Sequence, residues 1–271
     1  IAGFVENEWV GTAPNANYYL FITEDVGSEN PVEDSYWVEA AEVADSLGVD
    51  VINTSLGYFT YDDADYSYTY NDMNGSTSFM SKGTDIAFSR GMICVTSAGN
   101  SGNGANPNIS VPADAINSFT IGSVKSDESY STFSSIGPTF DGRIKPDVMA
   151  QGQNPFYSNT LGVVTNSSSG TSFSSPIMAG MIASFWQAIP WATNQQIVDF
   201  VRQSADRFSA PTPQFGYGIP NFQLALDIAQ LSIGENSQSH FSLFPNPMED
   251  QLNVLFSTVS EEIKFQLFNA L

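Results

Sequence analysis

The 271 residues contain one histidine, His240, and one cysteine, Cys94, with only 8 basic residues against 29 acidic ones. Each shortage excludes something. A single thiol forms no internal disulfide. Cys94 lies within the apolar run Met92-Ile93-Cys94-Val95, which predicts a small buried core residue rather than a reactive thiol. A formal net charge of −21 repels nucleic acid and anionic membranes, so neither is expected as a partner. No run of about 18 consecutive apolar residues occurs, so no membrane-spanning helix is expected. The chain opens Ile1-Ala2-Gly3-Phe4-Val5, without an initiator methionine or a basic leader, which reads as an internal start. Hydrophobic residues at 42% and aromatics at 13% supply ample material for a packed core and argue against disorder.

Hydrophobic periodicity gives the organisation. Tyr18-Tyr19-Leu20-Phe21-Ile22 reads as a strand. Trp37, Val38, Ala41, Ala44 and Leu47 repeat at helical spacing over Ser35 to Leu47, and Gly48 ends that helix. Val49 to Asn53 reads as the next strand. A second helix over Thr77 to Arg90 is followed by strands at Met92 to Ser97 and Ser118 to Val124. Ser172 to Ala188 is a long apolar helix. Thr193-Asn194-Gln195-Gln196 is a capping box that opens a helix through about Ala205, and Phe222 to Leu231 is a last amphipathic helix. This alternation predicts an α/β domain with a parallel sheet covered by helices. Tyr58 to Gly75, rich in Tyr, Asp and Asn, interrupts the pattern as a surface excursion that could border a site at the strand ends. Asp62, Asp63 and Asp65 raise structural calcium as an alternative. Asp72-Met73-Asn74-Gly75 lacks the terminal Glu of an EF-hand loop, so a solvated loop is preferred there. No metal site is assigned and no cofactor is expected with certainty.

The most informative segment is Gly170-Thr171-Ser172-Phe173-Ser174-Ser175-Pro176-Ile177-Met178-Ala179-Gly180. It reads as a tight turn delivering one serine to the start of a helix, where the dipole favours an oxyanion. Pro176 is expected within the first turn, where a missing N–H costs nothing. The segment is not the G-x-S-x-G elbow of the α/β-hydrolases, because Ser174 stands where the second glycine belongs. It resembles the nucleophile segment of the subtilisin-like serine proteases, the subtilases. The resemblance covers about Ile1 to Leu231 and implies a subtilisin-like three-layer fold, with Ser172 as nucleophile. Thr96-Ser97-Ala98-Gly99-Asn100 matches the family's oxyanion segment, which makes Asn100 an amide donor to the tetrahedral intermediate. Ser55-Leu56-Gly57 and Ser97-Ala98-Gly99 would be two walls of the substrate cleft. Gly57 would leave room for a peptide backbone that adds as a strand, and small side chains near the walls suggest an S1 pocket for a large apolar residue. Gly142 to Gly152 resembles the family's K-P-D segment, with Gln151 in place of the usual proline. Its Asp147 is read as structural, bonding backbone N–H groups beside the nucleophile loop, and not as a triad acid.

A serine is a weak nucleophile without a base. In subtilases the chain order is Asp, His, Ser, so His240, after Ser172, is read as a solvated linker residue, and Asp25-Val26-Gly27 is rejected as the triad acid. Gly11 to Ala16 resembles the turn after the family's histidine helix. The catalytic histidine is therefore expected just upstream of Ile1, and the isolated chain is expected to be inactive. A non-catalytic binding module on the same fold is the alternative, and an esterase or peptide ligase using the same acyl-enzyme is another.

Composition shifts near Ser232. The expected domains are 1–232, a linker at 233–241, and 242–271 as the start of a small β-sandwich module. Gln251 to Phe256 and Ile263 to Phe268 alternate apolar and polar as strands do. Phe244-Pro245-Asn246-Pro247 resembles the motif that opens the C-terminal sorting domain of the type IX (Por) secretion system of Bacteroidetes. That implies a secreted or cell-surface protein, with polypeptide substrates and the type IX machinery as partners.

Overall fold

The computed structural model describes residues 1–236, 241–244 and 253–256. The chain divides into two compact units, 1–226 and 227–271. The first unit opens with a short antiparallel pair, β1 (Phe4–Val5) and β2 (Trp9–Val10). Helix α1 (Val32–Ser46) follows and leads through Gly48, at φ +73°, into β3 (Val51–Thr54). Next come α2 (Phe79–Ser89), β4 (Ile93–Ser97), β5 (Phe119–Val124) and β6 (Val148–Gln151). A small antiparallel hairpin, β7 (Tyr157–Ser158) with β8 (Val164–Thr165), precedes α3 (Thr171–Ala188) and α4 (Asn194–Gln203). Thr193 and Gln196 form the expected capping box on α4. β6 and the hairpin carry no periodicity long enough to announce them.

The sheet is parallel, in the order β3-β4-β5-β6. Ile93, Cys94, Val95, Phe119 and Ile121 are completely buried, as parallel strands covered on both faces must be. Neighbouring residues of β3 show which helix covers which face. Ser175 on α3 donates to Asn53 Oδ1 at 2.8 Å, and Trp37 Nε1 on α1 donates to Thr54 Oγ1 at 3.0 Å. Successive strand side chains point to opposite faces, so α3 lies on one side and α1 on the other. Cys94 is part of this core, and burial pushes its thiol up to about 12.

The run Tyr18 to Ile22 is not a strand. It pairs with no other segment among the described residues, and Leu20 and Ile22 are 92% and 95% exposed. An extended apolar run becomes a strand only where a partner satisfies its backbone groups, and none lies beside it. The stretch Tyr58 to Gly75 meets expectation in part: Asp62 to Tyr66 are exposed, as a solvated loop would be, whereas its aromatic and methionine side chains are packed. Tyr58, Tyr61 and Met73 join the core with Trp37, Met80 and Cys94. Tyr61 and Tyr68 donate to the buried Asp34 carboxylate at 2.8 and 3.0 Å. Asp63 caps a 3₁₀ turn by accepting from Asp65 N, and Asp62 accepts from Glu29 N. No group of three metal-ligating side chains forms among the described residues.

Asp147 sits where three elements meet. Its Oδ2 accepts from Thr120 N on β5 at 2.7 Å and from Lys145 Nζ at 2.8 Å. Its Oδ1 accepts from both Nε and a terminal nitrogen of Arg202 on α4, at 2.9 and 2.6 Å. The role is structural as expected, but the carboxylate takes a single backbone N–H, on β5, and its other donors are two cations, the buried Lys145 and the partly buried Arg202. Lys145 also donates to the Ser118 carbonyl.

In the second unit, β9 (Phe241–Phe244) and β10 (Asn253–Phe256) pair antiparallel. Helix α5 spans Phe222–Asn236, about a turn longer than its periodicity predicts, because the helical backbone carries through Gly234 at a cost of about 1 kcal/mol. The expected strand at 263–268, together with His240, Pro245-Asn246-Pro247, Gln251 and Leu252, lies outside the described residues.

Two measurements follow from the buried carboxylates. Burial alone would raise Asp147, but Arg202 and Lys145 outweigh it and hold the carboxyl below its ordinary value. Its stabilisation is therefore present above the unfolded carboxyl's value, near pH 3.9, and is lost as pH falls through the lower folded value. Asp147→Ala leaves two cations uncompensated and should cost about 3–5 kcal/mol by denaturant unfolding at pH 7. Asp34 has the opposite sign, since burial raises it despite the two tyrosine donors. Ionising it penalises the fold as pH rises above about 4. Asp34→Asn should therefore gain stability relative to wild type between pH 4 and pH 7. Equal differences at both pH values would show that Asp34 is not the titrating group.

Candidate active site

Ser172 is the second residue of α3 and is half-buried. Its hydroxyl donates to the Ser55 carbonyl at 3.1 Å, and Ser55 Oγ donates back to the Ser172 carbonyl at 3.2 Å. That return bond has a cause in the sequence. Pro176 is the sixth residue of α3, beyond the first turn where it was expected. Lacking an N–H, it leaves the carbonyl four residues earlier without its helical donor. That carbonyl belongs to Ser172, and Ser55 supplies the donor instead. Asn53 Nδ2 fixes Ser55 Oγ at 2.9 Å, and Ser175 fixes Asn53.

Thr171 joins this cluster to Asn100. Its backbone N–H and its hydroxyl both donate to Asn100 Oδ1, at 2.8 and 3.1 Å. The hydroxyl also accepts from Gly99 N at 3.2 Å. With the oxygen end of the amide committed, Asn100 Nδ2 is left facing outward without an acceptor among the described residues. The Ser172 N–H, in the first turn of the helix, also lacks one. The absence of a side chain at Gly170 matters here. A Cβ at that position would lie 3.5 Å from Asn100 Nδ2 and 3.7 Å from Ser172 N, inside the space that both donors border. The arrangement presents two N–H donors and a helix N-terminus beside one hydroxyl, which suits an oxyanion.

The two expected cleft walls differ in character. Leu56 and Gly57 have backbone groups with no partner among the described residues, as a strand-adding peptide requires. The space that Gly57 leaves is already filled by the chain itself, since a Cβ there would meet Val111 O at 2.6 Å and Ser110 Oγ at 2.8 Å. Glycine is demanded by this internal approach rather than by a substrate. In the second wall, Ser97 and Ala98 are buried and Ala98 N donates to Ile121 O. Gly99 uses its carbonyl on Ser135 N. The backbone of Gly170 itself is closely approached by Gly152, where a Cβ would meet Gly170 O at 2.6 Å. Sequence reasoning passed over Thr171, Asn53 and Ser175. The threonine between Gly170 and Ser172 was the available signal, because only a hydroxyl there can bond both Asn100 and Gly99.

A serine held at a helix start with an outward Asn amide beside it is the decisive arrangement, and the sequence profile of the subtilase family matches residues 1–219. The chain belongs to the subtilase family. It is 30% identical over 218 residues to Subtilisin NAT of Bacillus subtilis subsp. natto, covering 80% of this chain and 50% of that protein. To Subtilisin DY of Bacillus licheniformis it is 29% identical over 217 residues, covering 80% and 70%. The chain thus spans about half the length of the first of these relatives. Among solved structures, the self-cleaved protease domain of PatA aligns with a TM-score of 0.59 at 21% identity, covering 73% of this chain and 68% of that one. The prenylagaramide maturation protease PagA aligns at 0.58 and 20% identity, covering 72% and 66%. At these identities the likeness concerns the subtilisin-like α/β fold.

Thr171→Val keeps the shape and removes the hydroxyl. The fold should survive with a loss of about 1–3 kcal/mol, because Gly99 N loses its acceptor. The Asn100 side-chain amide signals in a ¹H–¹⁵N NMR spectrum should shift and broaden as the carboxamide loses one of its two anchors. Unchanged Asn100 signals would mean that Thr171 does not hold it.

Proposed function

We propose that the intact protein is a serine endopeptidase, exported to the medium or the cell surface, in which Ser172 attacks a peptide carbonyl. The observation that carries this reading is the pair of unpartnered donors, Asn100 Nδ2 and Ser172 N–H, bordering the space beside the Ser172 hydroxyl. A base takes the Ser172 proton as Oγ bonds to the carbonyl carbon. The carbonyl oxygen becomes the oxyanion that the two donors stabilise. The C–N bond then breaks, the amine leaves with the proton, and water hydrolyses the acyl-enzyme. At rest the Ser55 carbonyl holds the hydroxyl proton until the base displaces it.

The base and its orienting acid belong, in this reading, to residues upstream of Ile1. Support comes from where Ile1 packs. A Cβ at Gly180 would overlap Thr12 Oγ1 and lie 2.9 Å from Ile1 Cγ2, and Ser184 Oγ donates to Thr12 O at 2.8 Å. The start of the chain is thus seated on α3, eight residues, or about 12 Å, along the helix from Ser172. Residues joined to Ile1 are within short reach of the hydroxyl. Substrates bind extended along Ser55-Leu56-Gly57, with Ser97-Ala98-Gly99 behind. Export follows from the Phe244-Pro245-Asn246-Pro247 motif, and the pairing of β9 with β10 supports a small β module there.

The test uses the full-length protein. Ser172→Ala should abolish peptide turnover. Asn100→Ala should lower kcat about 10²–10³-fold, a magnitude taken over from an oxyanion donor in subtilisin itself. Gly170→Ala should fold normally yet lose activity, because its methyl enters the oxyanion space. The chain limited to 1–271 should turn over no peptide. Turnover by that chain that depends on Ser172 would overturn the placement of the base.

A further inference from the structure

The segment Ser55-Leu56-Gly57 is a short span between two fixed points. Leu56 and Gly57 make no backbone bond of their own among the described residues, so their position is inherited from Ser55 and Tyr58. Ser55 is bonded to Ser172. Tyr58 is 2% exposed, and its backbone exchanges two hydrogen bonds with Val111: Tyr58 N donates to Val111 O at 2.9 Å, and Val111 N donates to Tyr58 O at 3.1 Å. A bridge of two bonds can still act as a pivot. The tyrosine ring removes that freedom. It stacks on Tyr61 with centroids 5.5 Å apart and planes at 21°, and its hydroxyl donates to the Glu24 carboxylate.

The far side of this contact is itself tied down. The buried Glu33 carboxylate accepts from Asp25 N at 2.8 Å and from Asn30 N at 3.1 Å, which fastens the segment carrying Glu24 to the start of α1. Asp62 Oδ2 accepts from Glu29 N at 3.1 Å, and Asp62 N donates to Glu29 O at 3.0 Å. Tyr61 and Tyr68 add their bonds to Asp34. Glu24, Glu29, Glu33, Asp34 and Asp62 form no ion pair with a lysine or arginine among the described residues. A hydroxyl that donates to a carboxylate makes a stronger bond than one between neutral groups.

We propose that Tyr58 is a positioning residue for the acyl side of the substrate: through its bond to Glu24 it holds Leu56 and Gly57 at the strand spacing that an extended peptide needs. This rests on the peptidase reading. A peptide adding as a strand lies about 4.8 Å from the wall when its backbone bonds form, and such bonds weaken steeply as they leave alignment. Without the Glu24 anchor the Tyr58 ring turns, Gly57 moves with it, and the docking bonds lose their geometry. Ser172 stays in place, because its own ties run through Ser55 and Asn53. The effect falls on the binding of long substrates and not on bond making at the hydroxyl.

The experiment uses the full-length protein and two substrates: a peptide anilide long enough to lie along the wall, and an N-acetyl amino-acid ester that ends beside Ser172. Tyr58→Phe keeps the ring and removes the hydroxyl. It should raise KM for the peptide about tenfold, the scale of one hydrogen bond to a charged group, with kcat unchanged and with both constants for the ester as in wild type. Glu24 is exposed, so Glu24→Ala should fold and reproduce the effect even if Tyr58→Phe does not fold. Glu24→Gln keeps an acceptor for the hydroxyl and should keep the wild-type KM. An unchanged peptide KM in Glu24→Ala, or equal losses on peptide and ester, would overturn the positioning role and leave the peptidase reading standing. A full-length wild type that does not cleave the peptide would overturn the peptidase reading, and this inference with it.

Discussion

The join between Thr171 and Asn100 is the constraint on which the site depends. One threonine uses its N–H and hydroxyl to fix the oxygen end of an amide that follows β4, while its own position fixes the start of α3. The sheet end and the helix start are thereby held together by hydrogen bonds rather than by apolar contact, which specifies direction as well as distance. The orientation of Asn100 and the exposure of the Ser172 N–H both follow. Pro176 works from the other side, releasing a carbonyl that ties the same turn to Ser55 and so to the end of β3. The nucleophile is fastened at two strand ends by groups that do not take part in bond making.

The surrounding frame explains why the fastening can be so local. An apolar helix of eighteen residues lies across one face of a four-stranded parallel sheet, and the opposite face is covered by α1 and the tyrosine-rich stretch. Asp147 bonds to β5, to Lys145 and to Arg202 on α4 far from Ser172 in sequence, and it uses two of only eight basic residues in the chain. Two cations spent on one buried carboxylate, in a protein otherwise so acidic, mark where charge is worth its desolvation.

Much of this was legible in the residues. Glycine at the ends of helical periods marked α1 and α2, and the Gly170 to Gly180 pattern placed Ser172 on a helix start. The parts that were not legible depend on distant neighbours. Tyr18 to Ile22 has the composition of a strand, but pairing belongs to two segments and only one is present in the run. Tyr58 to Gly75 looked polar because tyrosine hydroxyls and carboxylates count as polar singly. Paired with each other, as Tyr61 and Tyr68 are with Asp34, they become core. β6 was hidden because a strand of four residues, three of them buried in a row, carries no period. Pro176 was misplaced for a simpler reason: counted from the expected start at Ser172 it is already the fifth residue, and from the observed start at Thr171 the sixth, beyond the first turn in both cases.

The open run at Tyr18 to Ile22 bears on how the molecule behaves in crowded solution. It offers unpaired backbone groups and apolar side chains together, which is the combination that lets two copies stick. The acidic surface opposes this, because molecules of like charge are kept apart over about a Debye length, near 30 Å in 10 mM salt and 8 Å at physiological strength. Colloidal stability is thus borrowed from ionic conditions. A dilute buffer keeps copies apart, whereas concentrated salt removes the repulsion and strengthens apolar attraction at once.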